Sequence, residues 1–350
     1  MKKIVFTGGG TAGHIMPNIA IIDNLKDYKI YYLGSSGMEK DIISKYNNIE
    51  FIEIPSVKFK RSLSPQNLLI PFKLIKAVNK TKDILKTIKP HLVFSKGGYV
   101  SLPPCLSAKQ LGIPVITHES DLSIGLANKI ISKIAKYVCC SFKATADNLR
   151  KNGIHTGSPI RNNIFHGNKN IVLNRHKINN SLPIILIVGG SQGAGAINKV
   201  IWENISKLTK RYNLIHIVGK NNINKDIKSN NYYQLEFVND IENYFDASDI
   251  VVSRAGSNTI FELLALAKPM ILIPLPKTKH SRGDQVDNAN YFKKHKLAKV
   301  LDQNNLTIES LLATIELTFN DKNKLINNIK NANNNIGNSK IINIIKNTIM

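Results

Sequence analysis

The chain has 350 residues, 43% of them hydrophobic, which is enough to fill the cores of two ordinary domains and too apolar for a disordered chain. It carries 48 Lys and Arg against 24 Asp and Glu, a formal charge of +24, a balance that suits nucleic acid, an anionic membrane or a polyanionic substrate. Lys, Asn and Ile are abundant everywhere, including the tail KNANNNIGNSKIINIIKNTIM, so compositional drift explains the charge equally well except where it clusters.

In chain order, apolar runs predict strands at 3–7, 30–33, 50–54, 92–95, 115–118 and 137–141, with amphipathic stretches filling most of the gaps. A polar stretch at 162–181, with loop chemistry around 167–170, interrupts the rhythm. It restarts at Pro183 with IILIVGG and continues at 214–218, 233–237, 250–253, 270–274 and 299–301. Alternating short apolar runs and helical patterns imply parallel sheets built from βαβ units. The expected domains are 1–160 and 161–335, with 336–350 as a C-terminal helix packing back on the first. Each domain opens on the same device, IVFTGGGTAGH and IILIVGGSQGAG: a buried strand, a glycine-rich turn and a helix.

Gly8, Gly10 and Gly13 satisfy G-x-G-x-x-G between strand and helix, where glycine lets the backbone approach a ligand and the helix start favours negative charge. Rossmann-like domains also favour glycine here for packing alone. A dinucleotide site further needs an acidic residue roughly 20 positions on, at the end of the second strand. That strand ends in Leu33, Gly34, Ser35 and Ser36, with no carboxylate, which weakens a nicotinamide-cofactor reading. His14 at the helix start has no use in a dinucleotide loop. The second loop, GGSQG at 189–193, offers amides, a hydroxyl and a side-chain amide to a diphosphate. In SRAGSNTIFE at 253–262, Ser257, Asn258 and Thr259 begin a helix and Glu262 lies one turn inside. These residues suit phosphate and a ribose diol, or an ordinary helix cap.

GGGTAGH, SKGGYVSLP, HESDLSIGLANK, GSPIR, GGSQGAG, SRAGSNTIFE and GDQVDNAN occur in this order over roughly residues 4–292. The set resembles the MurG family, the UDP-N-acetylglucosamine–N-acetylmuramyl-(pentapeptide) pyrophosphoryl-undecaprenol N-acetylglucosamine transferases. The resemblance implies an α/β chain with the GT-B fold, two Rossmann-like domains facing across a cleft. It implies inverting transfer of GlcNAc from UDP-GlcNAc to the C4 hydroxyl of MurNAc in lipid I, giving lipid II in peptidoglycan synthesis. Carried over by motif, Glu262 holds the ribose, Ser191 the diphosphate, and Ser257, Asn258 and Thr259 the phosphate-binding helix start. The backbone at Val238 meets the uracil, Gln285 the GlcNAc with Asn288 behind it, and Arg161 touches the donor from the hinge. Thr11, Ala12, Gly13 and His14 face sugar and acceptor, with Gly97, Gly98 and Tyr99 on the acceptor side. Two positions depart from the family: Ala12 stands where TGGH is common, a methyl tolerated only at negative φ. Asp121 in HESD stands where Asn is common, and the resemblance implies a donor contact there.

An inverting transfer needs a base at the acceptor hydroxyl and charge stabilisation for departing UDP. His14 is the leading base because imidazole titrates near working pH; Glu119 and Asp121 compete, and His14 as a loop-shaping residue is the alternative. No Asp-x-Asp follows a strand, so neither metal nor other cofactor is expected. The rivals are a nicotinamide-dependent oxidoreductase, another GT-B enzyme using a UDP-sugar (a glycolipid synthase or a UDP-GlcNAc 2-epimerase), and a basic nucleic-acid module. The last lacks aromatics among its basic residues, so no nucleic acid is expected.

Cys105, Cys139 and Cys140 give no disulfide framework and no metal spacing. The apolar run of MKKIVFTGGG stops after three residues, too short for a signal peptide, and no run of about 18 apolar residues spans a bilayer. Between Lys58 and Lys89 stand nine Lys or Arg against one acid, Asp83, around LLIPFKLI. Leu69, Phe72, Lys73 and Lys76 in this segment suit docking on anionic lipid; a core-facing helix with outward lysines is the plain alternative. The expected place is the cytoplasmic face of the cell membrane, as a peripheral protein beside UDP-GlcNAc, lipid I and other cell-wall synthesis proteins.

Overall fold

The computed structural model describes residues 1–57, 69–149, 151–190, 192–278, 281–332 and 337–350. The chain divides into two compact units, Met1–Arg161 with Asn335–Met350, and Asn162–Asn334.

In the first unit, β1 (Lys3–Thr7), α1 (Ala12–Ile22), β2 (Lys29–Gly34), α2 (Met38–Ile43) and β3 (Ile49–Glu53) precede the long α3 (Ile70–Ile88). β4 (Leu92–Ser95), α4 (Leu102–Gln110), β5 (Val115–Glu119), α5 (Leu126–Ile131), β6 (Tyr137–Cys140), α6 (Lys143–Asn148) and β7 (Gly153–His155) follow. The seven strands pair in the order β3-β2-β1-β4-β5-β6-β7, all parallel. Strands covered on both faces read as continuous apolar runs, which is why KIVFT and LVFS are buried almost throughout.

The second unit runs α7 (Lys169–His176), β8 (Ile184–Val188), α8 (Gly195–Trp202), α9 (Ile205–Thr209), β9 (Asn213–Ile217) and β10 (Tyr232–Leu235). α10 (Ile241–Ala247), β11 (Ile250–Ser253), α11 (Ser257–Ala265), β12 (Met270–Leu272) and α12 (Asp284–Lys294) come next. β13 (Lys299–Val300), α13 (Ile308–Asn320) and α14 (Lys322–Ala332) complete it. Its six parallel strands are ordered β10-β9-β8-β11-β12-β13.

The last helix, α15 (Asn338–Ile349), belongs to the first unit. Its apolar stripe of Ile341, Ile342, Ile345 and Ile349 packs with Ile4, Phe6 and Ile19 on one face of the first sheet. Each such isoleucine contributes on the order of 1.5–3 kcal/mol through burial. Asn338 fixes the register, its Oδ1 accepting from Ile160 N and its Nδ2 donating to Ile160 O, both at 2.8 Å.

Two elements were not expected from the sequence. The polar stretch at 162–181 contains α7, whose only buried residue is Val172. With one buried position it has no apolar period; its start is set by Asn168, whose side chain accepts from Asn170 N. β7 is a three-residue edge strand of half-buried Gly153, Ile154 and His155, too short and too exposed to register as an apolar run. The expected strands at 233–237 and 270–274 also end earlier, at Leu235 and Leu272.

Candidate active site

In each sheet the first strand lies between the second and the fourth, β1 beside β4 and β8 beside β11. Helices therefore leave in opposite directions at that point, and open α/β sheets bind ligands outside the C-terminal strand ends there. The glycine-rich loops stand at these two positions.

In the first unit the loop after β1 touches the loop after β4. A Cβ on Gly98, whose φ is +80°, would lie 2.8 Å from Gly9 O and 3.4 Å from His14 Nδ1. Only glycine fits that backbone and that approach. The Tyr99 ring lies against Gly10, where a Cβ would come within 2.8 Å of it. Thr11, Gly13, His14, Gly97, Gly98 and Tyr99 are thus gathered at one switch point. Thr11 is the N-cap of α1 without a side-chain cap bond; its hydroxyl lies 3.1 Å from His14 Nδ1. Ala12 is the first residue of α1.

The carboxylate missing from the end of β2 arrives from α2. Glu39 is fully buried and accepts from Gly10 N at 3.3 Å, Ser35 N at 3.0 Å and Ser35 Oγ at 2.5 Å. A Cβ on Gly9 would fall 2.3 Å from Glu39 Oε1. The carboxylate therefore fills the space beside the loop and engages its amide. Sequence reading missed it because position 39 lies 29 residues from Gly10. The available signal was an acidic residue in the first turn of a helix that follows Gly37.

Past β5, Glu119 has both oxygens occupied. Oε1 accepts from Asp121 N at 3.0 Å, and Oε2 from Gly125 N at 2.9 Å and Asn128 Nδ2 at 3.0 Å. Burial pushes its carboxyl up, Asp121 adds to the rise, and these hydrogen bonds oppose it. Asn128 also accepts from Thr117 Oγ1 at 2.9 Å and donates to His118 O at 3.1 Å. Glu119 is thus the staple of the 120–125 turn, and Asp121 is the first residue that it holds. Lys96, 2% exposed, donates to Ser120 Oγ. Burial pulls its ammonium down to about 8, with Glu119 and Asp121 opposing. His118, with Nε2 3.1 Å from Gly157 O, is held neutral well below the usual imidazole range by burial and by the Lys96 charge.

In the second unit Ser191 lies outside the described residues, but its loop is defined on either side. Gly193 has φ +76°, and a Cβ there would fall 2.1 Å from Val218 O. That carbonyl also accepts from Asn198 Nδ2 at 2.9 Å, while Asn198 Oδ1 meets His216 Nε2 at 3.0 Å, so a buried polar chain backs the loop. After β11, α11 begins at Ser257 with Gly256 as N-cap and no side-chain cap. The amides of Ser257, Asn258 and Thr259 stand in the first turn of α11, the end of a helix that favours negative charge, and Glu262 follows half-buried. Asn288, buried in α12, donates to Ala255 O at 3.2 Å, which seats α12 against this turn. Gln285 Oε1 accepts from Leu275 N at 3.0 Å. Val238 follows β10 at the sheet edge, half-buried, and Arg161 closes the first unit, also half-buried. Among the described residues no group of three or more His, Cys, Asp and Glu is placed to hold a metal ion.

α3 buries Ile70, Ala77, Val78, Thr81, Leu85 and Ile88. Its opening turns leave Leu69 54%, Phe72 71% and Ile75 59% exposed, beside exposed Lys73 and Lys76. Lys58, Lys60 and Arg61, which extend the basic segment, lie outside the described residues. No helix among the described residues is long and apolar enough to cross a membrane.

Comparison with known proteins identifies the framework. Residues 4–140 match the glycosyltransferase family 28 N-terminal domain and residues 184–345 the glycosyltransferase family 28 C-terminal domain. A Clostridium tetani protein named UDP-N-acetylglucosamine--N-acetylmuramyl-(pentapeptide) pyrophosphoryl-undecaprenol N-acetylglucosamine transferase is 42% identical over 99% of this chain and 98% of its own length. The chain belongs to the MurG family. A Clostridium botulinum member of the same name is 41% identical over 99% of both chains. The crystal structure of Acinetobacter baumannii MurG superposes with a TM-score of 0.75 at 25% identity, covering 99% of this chain and 100% of that one. The fold class is GT-B, with two Rossmann-like α/β units.

Proposed function

We propose that this MurG-family chain transfers GlcNAc from UDP-GlcNAc to the C4 hydroxyl of MurNAc in lipid I, forming lipid II with inversion at the anomeric carbon. The observation that carries this reading is full-length identity of 42% to an enzyme named for that transfer. The two glycine loops at the sheet switch points supply the chemistry it needs. Incubation with labelled UDP-GlcNAc and a lipid I analogue tests it, and release of UDP without a disaccharide product would count against it.

The donor is assigned to the second unit. The first-turn amides at Ser257, Asn258 and Thr259, the Ser191 loop and the positive end of α11 receive the diphosphate. Glu262 accepts from the ribose hydroxyls, the backbone near Val238 meets the uracil, and Arg161 touches the donor. Gln285, its Oε1 engaged by Leu275 N, meets the sugar through Nε2, with Asn288 behind it as support for the turn. Glu262→Ala is expected to weaken UDP-GlcNAc binding by roughly 10- to 100-fold, the loss of two hydrogen bonds to a charged acceptor. Titration calorimetry reads this directly, and unchanged affinity would remove Glu262 from the ribose.

The acceptor is assigned to the first unit. With a proton on Nδ1 donated to Thr11 Oγ1, His14 takes the C4 hydroxyl proton at Nε2. The acceptor oxygen bonds to the anomeric carbon, the bond to the UDP oxygen breaks, and UDP leaves with the electron pair. We assign the base to His14 rather than Glu119, because the Glu119 oxygens already accept three hydrogen bonds from the turn they organise. Gly97, Gly98 and Tyr99 border the same switch point and shape the acceptor side, with Asp121 at the rim.

Docking on the cytoplasmic membrane face is assigned to the start of α3, since a polyprenyl-linked acceptor stays in the bilayer. Charge reversal at Lys73 and Lys76 combined with Leu69→Ser and Phe72→Ser is expected to abolish cosedimentation with anionic vesicles. Each basic residue near the surface is worth about 1 kcal/mol there. Unchanged cosedimentation would move the docking surface elsewhere.

A further inference from the structure

The reading above leaves one buried charge without a task. Lys96 follows β4 at the switch point and is almost fully enclosed. Among the described residues its ammonium donates only to Ser120 Oγ. A Cβ on Gly8 would lie 3.0 Å from Lys96 Cβ, so the lysine stem is wedged between the first glycine loop and the 120–125 turn. Enclosing an ammonium with a single hydroxyl partner costs stability, and a well-packed apolar side chain of similar size does as well or better. A charge kept under those terms beside a functional loop marks a working group.

We infer that Lys96 is a positioning residue of the acceptor side, whose buried positive charge holds the Ser120–Glu119–Asp121 segment against the glycine loop after β1 and the Gly97–Gly98 turn after β4. The surrounding elements carry His14 from α1, Tyr99 from the turn after Gly98, and His118, Glu119 and Asp121 from β5 and its loop; Lys340 and Lys346 of α15 face solvent. Of these, Glu119 and Asp121 favour the charged lysine, while burial disfavours it. Burial keeps His118 neutral, and the lysine charge adds to that effect. When Lys96 loses its proton, two carboxylates lose their counter-charge and the turn they organise loosens.

The sign follows from the lowered value. The ammonium is present below about 8 and lost above it, so turnover falls as pH rises through that point. Stability moves the other way: in the unfolded chain the lysine keeps its proton to about 10.4, so between the two values the unfolded state binds more protons and folding gains with pH. Opposite trends in turnover and stability over one interval are not the signature of a merely structural lysine.

The test uses the full chain with UDP-GlcNAc and a lipid I analogue, and rests on the transferase reading. Wild type is expected to show an alkaline limb in kcat near pH 8. Lys96→Met is expected to lose that limb and to drop kcat about tenfold or more at neutral pH, with donor KM within about threefold. It should melt no lower than wild type. Lys96→Arg, charged throughout this range, is expected to recover turnover and shift the limb upward. Wild-type kcat and limb retained in Lys96→Met would overturn the inference. Should Lys96→Met fail to fold, carbon-13 NMR of ε-labelled lysines in wild type decides: one resonance titrating near pH 8 supports it, and all titrating near the usual 10.5 overturn it. Absence of turnover at every pH in wild type would instead count against the transferase reading.

Discussion

His14→Ala is expected to lower kcat by about 100- to 10,000-fold, the range that a positioned general base supplies, with the dissociation constant for UDP-GlcNAc within about threefold of wild type. The asymmetry comes from where the residue sits. His14 belongs to the first unit, in the opening turn of α1, within 3.1 Å of Thr11 Oγ1 and facing the Gly98 backbone. The amides proposed to bind the donor belong to α11 of the second unit. A residue that only shaped the glycine loop would lower both quantities together, so rapid-quench turnover beside calorimetric donor binding separates the two roles. Equal losses in both would remove His14 as the base.

Glu39→Ala is expected to lower stability by about 2–4 kcal/mol, because it leaves Gly10 N, Ser35 N and Ser35 Oγ without their acceptor in a buried site. For a unit of this size that corresponds to a melting transition lower by roughly 4–16 °C. Turnover should fall as well, since the released amide is the one that fixes the loop carrying Thr11 and His14. Glu39→Gln keeps one oxygen acceptor and the shape of the side chain, so it is expected to recover part of the loss. A melting curve for Glu39→Ala that overlays wild type would show that the carboxylate does not hold the loop.

The parts of the fold legible in sequence were those with a local physical cause. Buried parallel strands must be apolar on both faces, so 3–7, 92–95 and 250–253 were bounded from their residues alone. The glycine loops were legible because tight turns at strand ends demand glycine, and the paired device announced two Rossmann-like units. α7 and β7 were illegible for the converse reason: one has a single buried residue and the other three half-buried ones, so neither carries a period. Glu39 and Lys96 were passed over because a buried polar group is recognised only by what surrounds it: the glycine-loop partner of Glu39 lies 29 residues away and the Ser120 partner of Lys96 lies 24 away in sequence. The hydrogen bonds of Glu119 were not legible either. Its three donors, two of them backbone amides, exist only once the turn is folded.

The most direct measurement of the central claim is the anomeric configuration of the product. The full chain is incubated with UDP-α-GlcNAc and a lipid I analogue, and the disaccharide is examined by proton NMR. The account predicts one new β-linkage to the C4 oxygen of MurNAc, with UDP released in equal amount. An α-linkage, transfer to another hydroxyl, or UDP release with free GlcNAc and no disaccharide would contradict it.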